Sequence, residues 1–229
     1  MKIGIIAEGR EDQLVIRNIL KGLGFANIEI HFIRPELATD ETDKAEKKAK
    51  EYVNNTKTIG TLQGVKNACQ EGTDFQLFFN FDENNKLIVI HLDTAELESA
   101  ENNSLAFSKP VKTNNTNYTA QLVSSVSILI DSWLNNSYPQ QIIHAIAVEE
   151  IEAWLLTQYQ TVDTSKSANP KKKWLENFAY SKFKPNDNYD DYSAVFKKSK
   201  QLNKYAEHNP ILLAFINEAH HLIKHHQQP

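Results

Sequence analysis

KLIVIHLD, residues 86–93, is the stretch on which the fold turns. It is short and nearly all apolar, the pattern of a strand covered on both faces of a parallel sheet, and it ends abruptly in the carboxylate of Asp93. Upstream, the aromatic run DFQLFFNF (74–81) leads into a polar turn at Asp82–Asn85, and Thr61–Cys69 places Leu62, Val65 and Cys69 on one side of a short helix. Downstream, the Asn-rich stretch 99–117 reads as a loop. Residues 118–134 then carry Leu122, Val126, Leu129, Ile130 and Trp133 at amphipathic spacing.

A second buried strand, QIIHAIAV (141–148), follows Pro139, closes with Glu149 and gives way to a helix over 150–159. At the N-terminus, KIGIIA (2–7) reads as a strand, Glu-Gly-Arg-Glu-Asp as a tight turn, and QLVIRNILKGLG (13–24) as a helix stopped by Gly22 and Gly24. Alternation over Asn27–Ile33 before Pro35 makes a further strand, which completes a β-α-β unit. Residues 36–57 are a solvated excursion, partly helical near 44–53. Beyond Tyr159 only helical segments appear, over 170–180, 190–206 and 209–226. The expected fold is α/β, a mainly parallel four-stranded sheet flanked by helices over residues 1–158, with a mainly helical C-terminal part over 159–229 packed on it.

Composition agrees with a folded chain: of 229 residues 41% are hydrophobic and 24% charged, close to ordinary globular usage. The single cysteine, Cys69, excludes an internal disulfide framework and any multi-cysteine zinc site, and it reads as buried filler. No signal-peptide core or membrane-length apolar run is present, so a cytoplasmic protein without membrane contact is expected. The net charge of −4 divides unevenly, with 14 basic against 22 acidic residues over 1–158 and 11 against 7 over 159–229. The acidic part suits cations and the basic part suits an anion, although solvation alone also accounts for such a difference.

In open parallel sheets, functional groups collect beyond the carboxyl ends of strands. Carboxylates stand at three such ends: Glu8, Asp93 with Glu96, and the cluster Glu149, Glu150 and Glu152. Carboxylates drawn together repel unless a cation or proton compensates them, so a hard divalent ion, Mg²⁺ or Mn²⁺, is their natural partner. Each also has a plainer reading: Glu8 as electrostatic support for the next helix, Asp93 as an N-cap, and the last cluster as ordinary helix-start acids. Arg10 can meet a phosphate or simply face solvent. Lys171, Lys172 and Lys173, continued by Lys182, Lys184, Lys197, Lys198 and Lys200 with interleaved aromatics, suit nucleic acid or a lysine-rich solvated helix face. The histidines at 220, 221, 225 and 226 read as an exposed helix end.

Together, strand–Glu8-Gly9–helix, KLIVIHLDTAE and AIAVEEIEAWLL resemble the Toprim-like fold. The likeness is closer to a Toprim-related bacterial family akin to the nuclease halves of overcoming-lysogenisation-defect systems. It covers roughly residues 1–175, and AVEEIEAWLL is its most specific piece. The resemblance implies Mg²⁺-dependent phosphodiester chemistry on nucleic acid, with Glu8 as acid/base or metal ligand and Asp93 as main metal ligand. It also implies an ABC-type ATPase partner in anti-phage defence. The chain departs from the family's Asp-x-Asp, having Asp93-Thr94-Ala95, so Glu96, Glu149 or Glu152 would have to supply the missing carboxylate. The alternative is a non-catalytic Toprim-like module that binds or regulates the ATPase and keeps the acidic edge for folding or metal-dependent docking.

Overall fold

A computed structural model of the chain describes residues 1–35, 62–80, 85–98, 110, 117–178 and 189–227. The excursion expected over 36–57, nearly all of the loop over 99–117, and Lys182 and Lys184 lie outside the described residues. Four strands, β1 (Lys2–Ile6), β2 (Glu29–Arg34), β3 (Lys86–Asp93) and β4 (Ile142–Ala147), form one all-parallel sheet in the order β2-β1-β3-β4. The α/β architecture expected from the sequence is present, with the helical C-terminal part in place.

The sheet is covered on both faces because side chains alternate. Ile3, Ile5, Leu87, Val89, Ile143 and Ala145 face one layer, which contains helix α1 (Arg10–Gly22) and the C-terminal helices. Ile6, Ile88, Ile90, Leu92, Ile142 and Ile146 face the other. That second layer holds α2 (Leu62–Glu71), α3 (Thr73–Phe79) and α4 (Tyr118–Trp133). Its Cys69 is buried, which pushes the thiol up to about 12 and leaves it inert.

After β4 come a single turn of helix, α5 (Glu152–Leu155), then α6 (Pro170–Phe178), α7 (Tyr189–Tyr192), α8 (Ser199–Ala206) and α9 (Pro210–His226). Trp154, Phe196, Leu202, Phe215 and Ile216 share one core with Ile3, Ile5 and Val89 of the sheet. Helix α1 lies so close to this layer that a Cβ on Gly22 would stand 1.9 Å from the Phe196 carbonyl oxygen. Asn209 caps α9, its side-chain oxygen accepting from Ile211 N–H and Leu212 N–H.

Three elements differ from expectation, and the helix expected over 190–206 is one of them, broken into α7, a 3-10 turn (Ala194–Lys197) and α8. Helix α1 begins at Arg10, so the turn is only Glu8-Gly9, because the Asp12 carboxylate accepts the Gly9 N–H at 2.8 Å and closes the first turn. The expected helix over 150–159 is instead α5 followed by a 3-10 turn, Leu156–Gln158. Among the described residues, no helix is long and apolar enough to cross a membrane.

Candidate metal centre

The chain passes from β1 to β2 on one side, then returns across β1 to β3 on the other. Such a reversal opens a crevice beyond the carboxyl ends of the two central strands. Glu8 follows β1 and Asp93 ends β3, and the Glu8 side chain ties the two strand ends together: Glu8 Oε1 accepts the Asp93 N–H at 2.8 Å. The residue is only 6% exposed.

Period-two alternation sends His91 and Asp93 to the same face, the one that the first turn of α1 overhangs. Asp12 arrives from that turn. His91 is fully buried, and its Nδ1 lies 2.6 Å from the Ala145 carbonyl oxygen. A carbonyl can only accept, so Nδ1 carries the proton and Nε2 is left to face the crevice. There, Nε2 lies 3.2 Å from Asp93 Oδ1 and 3.9 Å from Asp12 Oδ2. Apart from this contact, neither Nε2 nor Asp93 Oδ1 has a hydrogen-bond partner, although both atoms are buried. One ligand atom from each of the three residues falls within 4.8 Å of the others.

A neutral imidazole would turn its Nε2 lone pair on two carboxylates, so the arrangement requires a positive charge between them. Without an ion, a proton provides it. Burial alone would push the His91 ring down, but Asp93, Asp12 and Glu8 outweigh burial and hold it up, to about 9. Burial pushes the Asp12 carboxyl up; His91 opposes this and Asp93 adds to it, leaving it at about 7. Both groups therefore stand far from their ordinary values in one cleft, a common sign of a functional site.

Beside this triad lies a second acidic group with cations of its own. Glu152, in α5, is 3% exposed, and its Oε1 accepts from the Tyr189 hydroxyl at 2.6 Å and meets Lys171 Nζ at 3.5 Å. Glu150 Oε2 accepts the Lys171 N–H at 2.9 Å, at the start of α6. Burial pushes the Tyr189 hydroxyl upward, and the Glu152 carboxylate adds to it, so the phenol remains a donor. Burial would lower the Lys171 ammonium, yet Glu152, Glu150 and Asp93 together raise it.

The sequence-derived set divides accordingly. Glu8 and Asp93 meet directly, whereas Glu150 and Glu152 are bonded to Lys171 and Tyr189 and reach Asp93 and Asp12 only through their charge. Glu149 contributes through its backbone: with φ at 65° its N–H donates to Thr94 Oγ1 at 2.7 Å and its carbonyl accepts from Ala95 N–H at 2.9 Å. These bonds tie the end of β4 to the end of β3. Glu96 lies in a 3-10 turn, Ala95–Glu98, and its side chain is outside the described residues. Arg10 is exposed at the first residue of α1, Lys172 is exposed, and Lys173 Nζ donates to Ser167 Oγ at 3.0 Å.

Asp12 and His91 are the two members that sequence reasoning missed. Their signals are present in retrospect: His-x-Asp on a strand puts both side chains on one face, and Asp12 falls one helical turn beyond Glu8. The residues fit a divalent ion. A histidine whose second nitrogen donates to a backbone carbonyl is the usual form of a metal-bound imidazole, and two carboxylates complete a mixed nitrogen and oxygen set.

Comparison of the chain with protein-family models, with curated proteins and with solved structures finds no match.

Proposed function

We propose that the chain is a metal-dependent phosphoryl-transfer enzyme, a nuclease in the simplest case, with its ion held by Asp12, His91 and Asp93. The observation that carries this reading is a pair of buried atoms, His91 Nε2 and Asp93 Oδ1, that face each other at 3.2 Å with no other polar partner to satisfy them. An imidazole ligand suits Mn²⁺ better than Mg²⁺, which prefers oxygen ligands and retained water, so Mn²⁺ is the favoured one of the two.

A divalent ion there would polarise a phosphate oxygen and make bound water a stronger acid. The chain's own residues supply orientation. Ala145 fixes the His91 ring. Gly9 N–H holds the Asp12 carboxylate. The Trp154 ring, 6.0 Å from the His91 ring, walls the site from beneath. Nucleic acid as substrate, an ATPase partner and a place in anti-phage defence rest on the Toprim-like resemblance of the Glu8-Gly9 turn, Asp93 and the AVEEIEAWLL segment.

Purified protein should cleave DNA or RNA with Mn²⁺, and Asp93→Ala and Asp12→Ala should each lower the rate by at least tenfold. Equal cleavage by wild type and both variants would assign the activity to a contaminant and remove the enzyme reading. A second reading has support too: a protonated His91 between Asp12 and Asp93 balances charge with no ion at all, as a non-catalytic regulatory module allows. Isothermal titration with Mn²⁺ separates the two states of the triad, because the proton-balanced one predicts no binding heat.

A further inference from the structure

We propose that this acidic crevice accepts one divalent ion only, because the ammonium of Lys171, docked on Glu152, occupies the place of a second. The inference rests on the metal site proposed above and concerns its stoichiometry. Two-ion sites need several carboxylates whose oxygens can reach both ions, about 3.5–4 Å apart. Here three described carboxylates beside the triad already have partners. Glu8 Oε1 holds the Asp93 N–H, Glu150 Oε2 holds the Lys171 N–H, and Glu152 Oε1 holds both the Tyr189 hydroxyl and Lys171 Nζ.

Lys171 is well suited to this part. Its backbone is pinned to Glu150, while its side chain, 57% exposed, reaches a Glu152 carboxylate that is 4% exposed. The ammonium lies within the field of Glu152, Glu150 and Asp93, the carboxylates a second ion would have to use. A cation at that position repels a mobile one, and it leaves the triad, where His91 Nε2 has only its contact with Asp93, as the open position. Tyr189 fixes the orientation of Glu152, so the carboxylate does not turn toward the triad ion unless that 2.6 Å bond is broken.

The test is a count of bound Mn²⁺ by isothermal titration and by electron paramagnetic resonance on the full chain, comparing wild type, Lys171→Met and Lys171→Arg. Far-UV circular dichroism confirms folding of each. Wild type and Lys171→Arg are expected to bind one ion, with an uncoupled six-line spectrum. Lys171→Met is expected to gain a second, weaker ion and the spectral broadening of a coupled pair. Two ions on wild type would overturn the inference. One ion on both wild type and Lys171→Met would overturn the assignment to Lys171. Zero ions on wild type would remove the metal-centre reading itself, a result distinct from either. If Lys171→Met does not fold, Lys171→Gln tests the same point: with the ammonium removed it should gain a weak second ion, and unchanged one-ion binding would count against the inference.

Discussion

Replacing Asp12 with asparagine should stabilise the metal-free protein while abolishing its stabilisation by metal. The two effects have one origin. Burial foremost, with His91 opposing and Asp93 adding, moves the Asp12 carboxyl from 3.8 to about 7. Since the folded value lies above the unfolded one, stability is fully present below pH 3.8 and is lost as pH rises through about 7. A displacement of about three units at roughly 1.4 kcal/mol per unit sets a ceiling of ~4 kcal/mol on this loss. Asparagine cannot ionise, yet its side-chain oxygen can still accept the Gly9 N–H that closes the first turn of α1. With roughly 2–4 °C per kcal/mol for a chain of this size, Asp12→Asn in EDTA at pH 8 should melt above wild type by at most about 8–16 °C, and near wild type at pH 4. Mn²⁺ at about 100 times its Kd should stabilise wild type by ~2.7 kcal/mol and the variant by far less. Differential scanning calorimetry with and without Mn²⁺ at both pH values measures all four quantities. A variant less stable than wild type at pH 8 in EDTA, or equally raised by Mn²⁺, would refute the reasoning.

Other positions give independent checks. Glu8→Gln keeps an acceptor for the Asp93 N–H and should melt near wild type. Glu8→Ala leaves that amide without its acceptor and should cost about 1–3 kcal/mol in chemical denaturation. His144 on β4 meets Asp131 of α4 at 3.0 Å and Glu218 of α9 at 3.5 Å. Burial lowers its ring, but the two carboxylates outweigh burial and raise it above 6.5, so its stabilisation holds below pH 6.5 and fades as pH rises through the raised value. A stability profile of His144→Gln should lack that slope; an unchanged slope would assign it to other groups. Gly22→Ala drives a methyl into the Phe196 carbonyl at 1.9 Å and should lower the melting temperature, whereas an unchanged value would mean that α1 can move aside.

The strands were legible because their apolar runs are short and end in charge, as Lys86–Asp93 shows. The helical C-terminal part was legible from the lack of any comparable run after Tyr159. The first turn of α1 was harder to read: Arg10, Glu11 and Asp12 are polar and suggest a loop, and only the Gly9–Asp12 bond reveals a helix start. His91 was hidden for the opposite reason. It sits within an apolar strand, where a histidine reads as core, and its meaning depends on Asp12, 79 positions away in the chain, arriving over the same face. The acids at strand ends were visible one at a time. Which of them were already committed, Glu152 to Tyr189 and Lys171, is a matter of three-dimensional partnership that no spacing encodes.

Trp154 lies edge-on to His91 on one side and is stacked on Phe215 of α9, 5.3 Å away, on the other. The crevice therefore has no foundation separate from the hydrophobic interior. A change in the final helix that shifts Phe215 tilts the indole, and the indole in turn tilts the imidazole. The geometry of the triad and the stability of the fold therefore depend on the same aromatic ring, so a substitution in the last helix is felt at His91 in the middle of the chain.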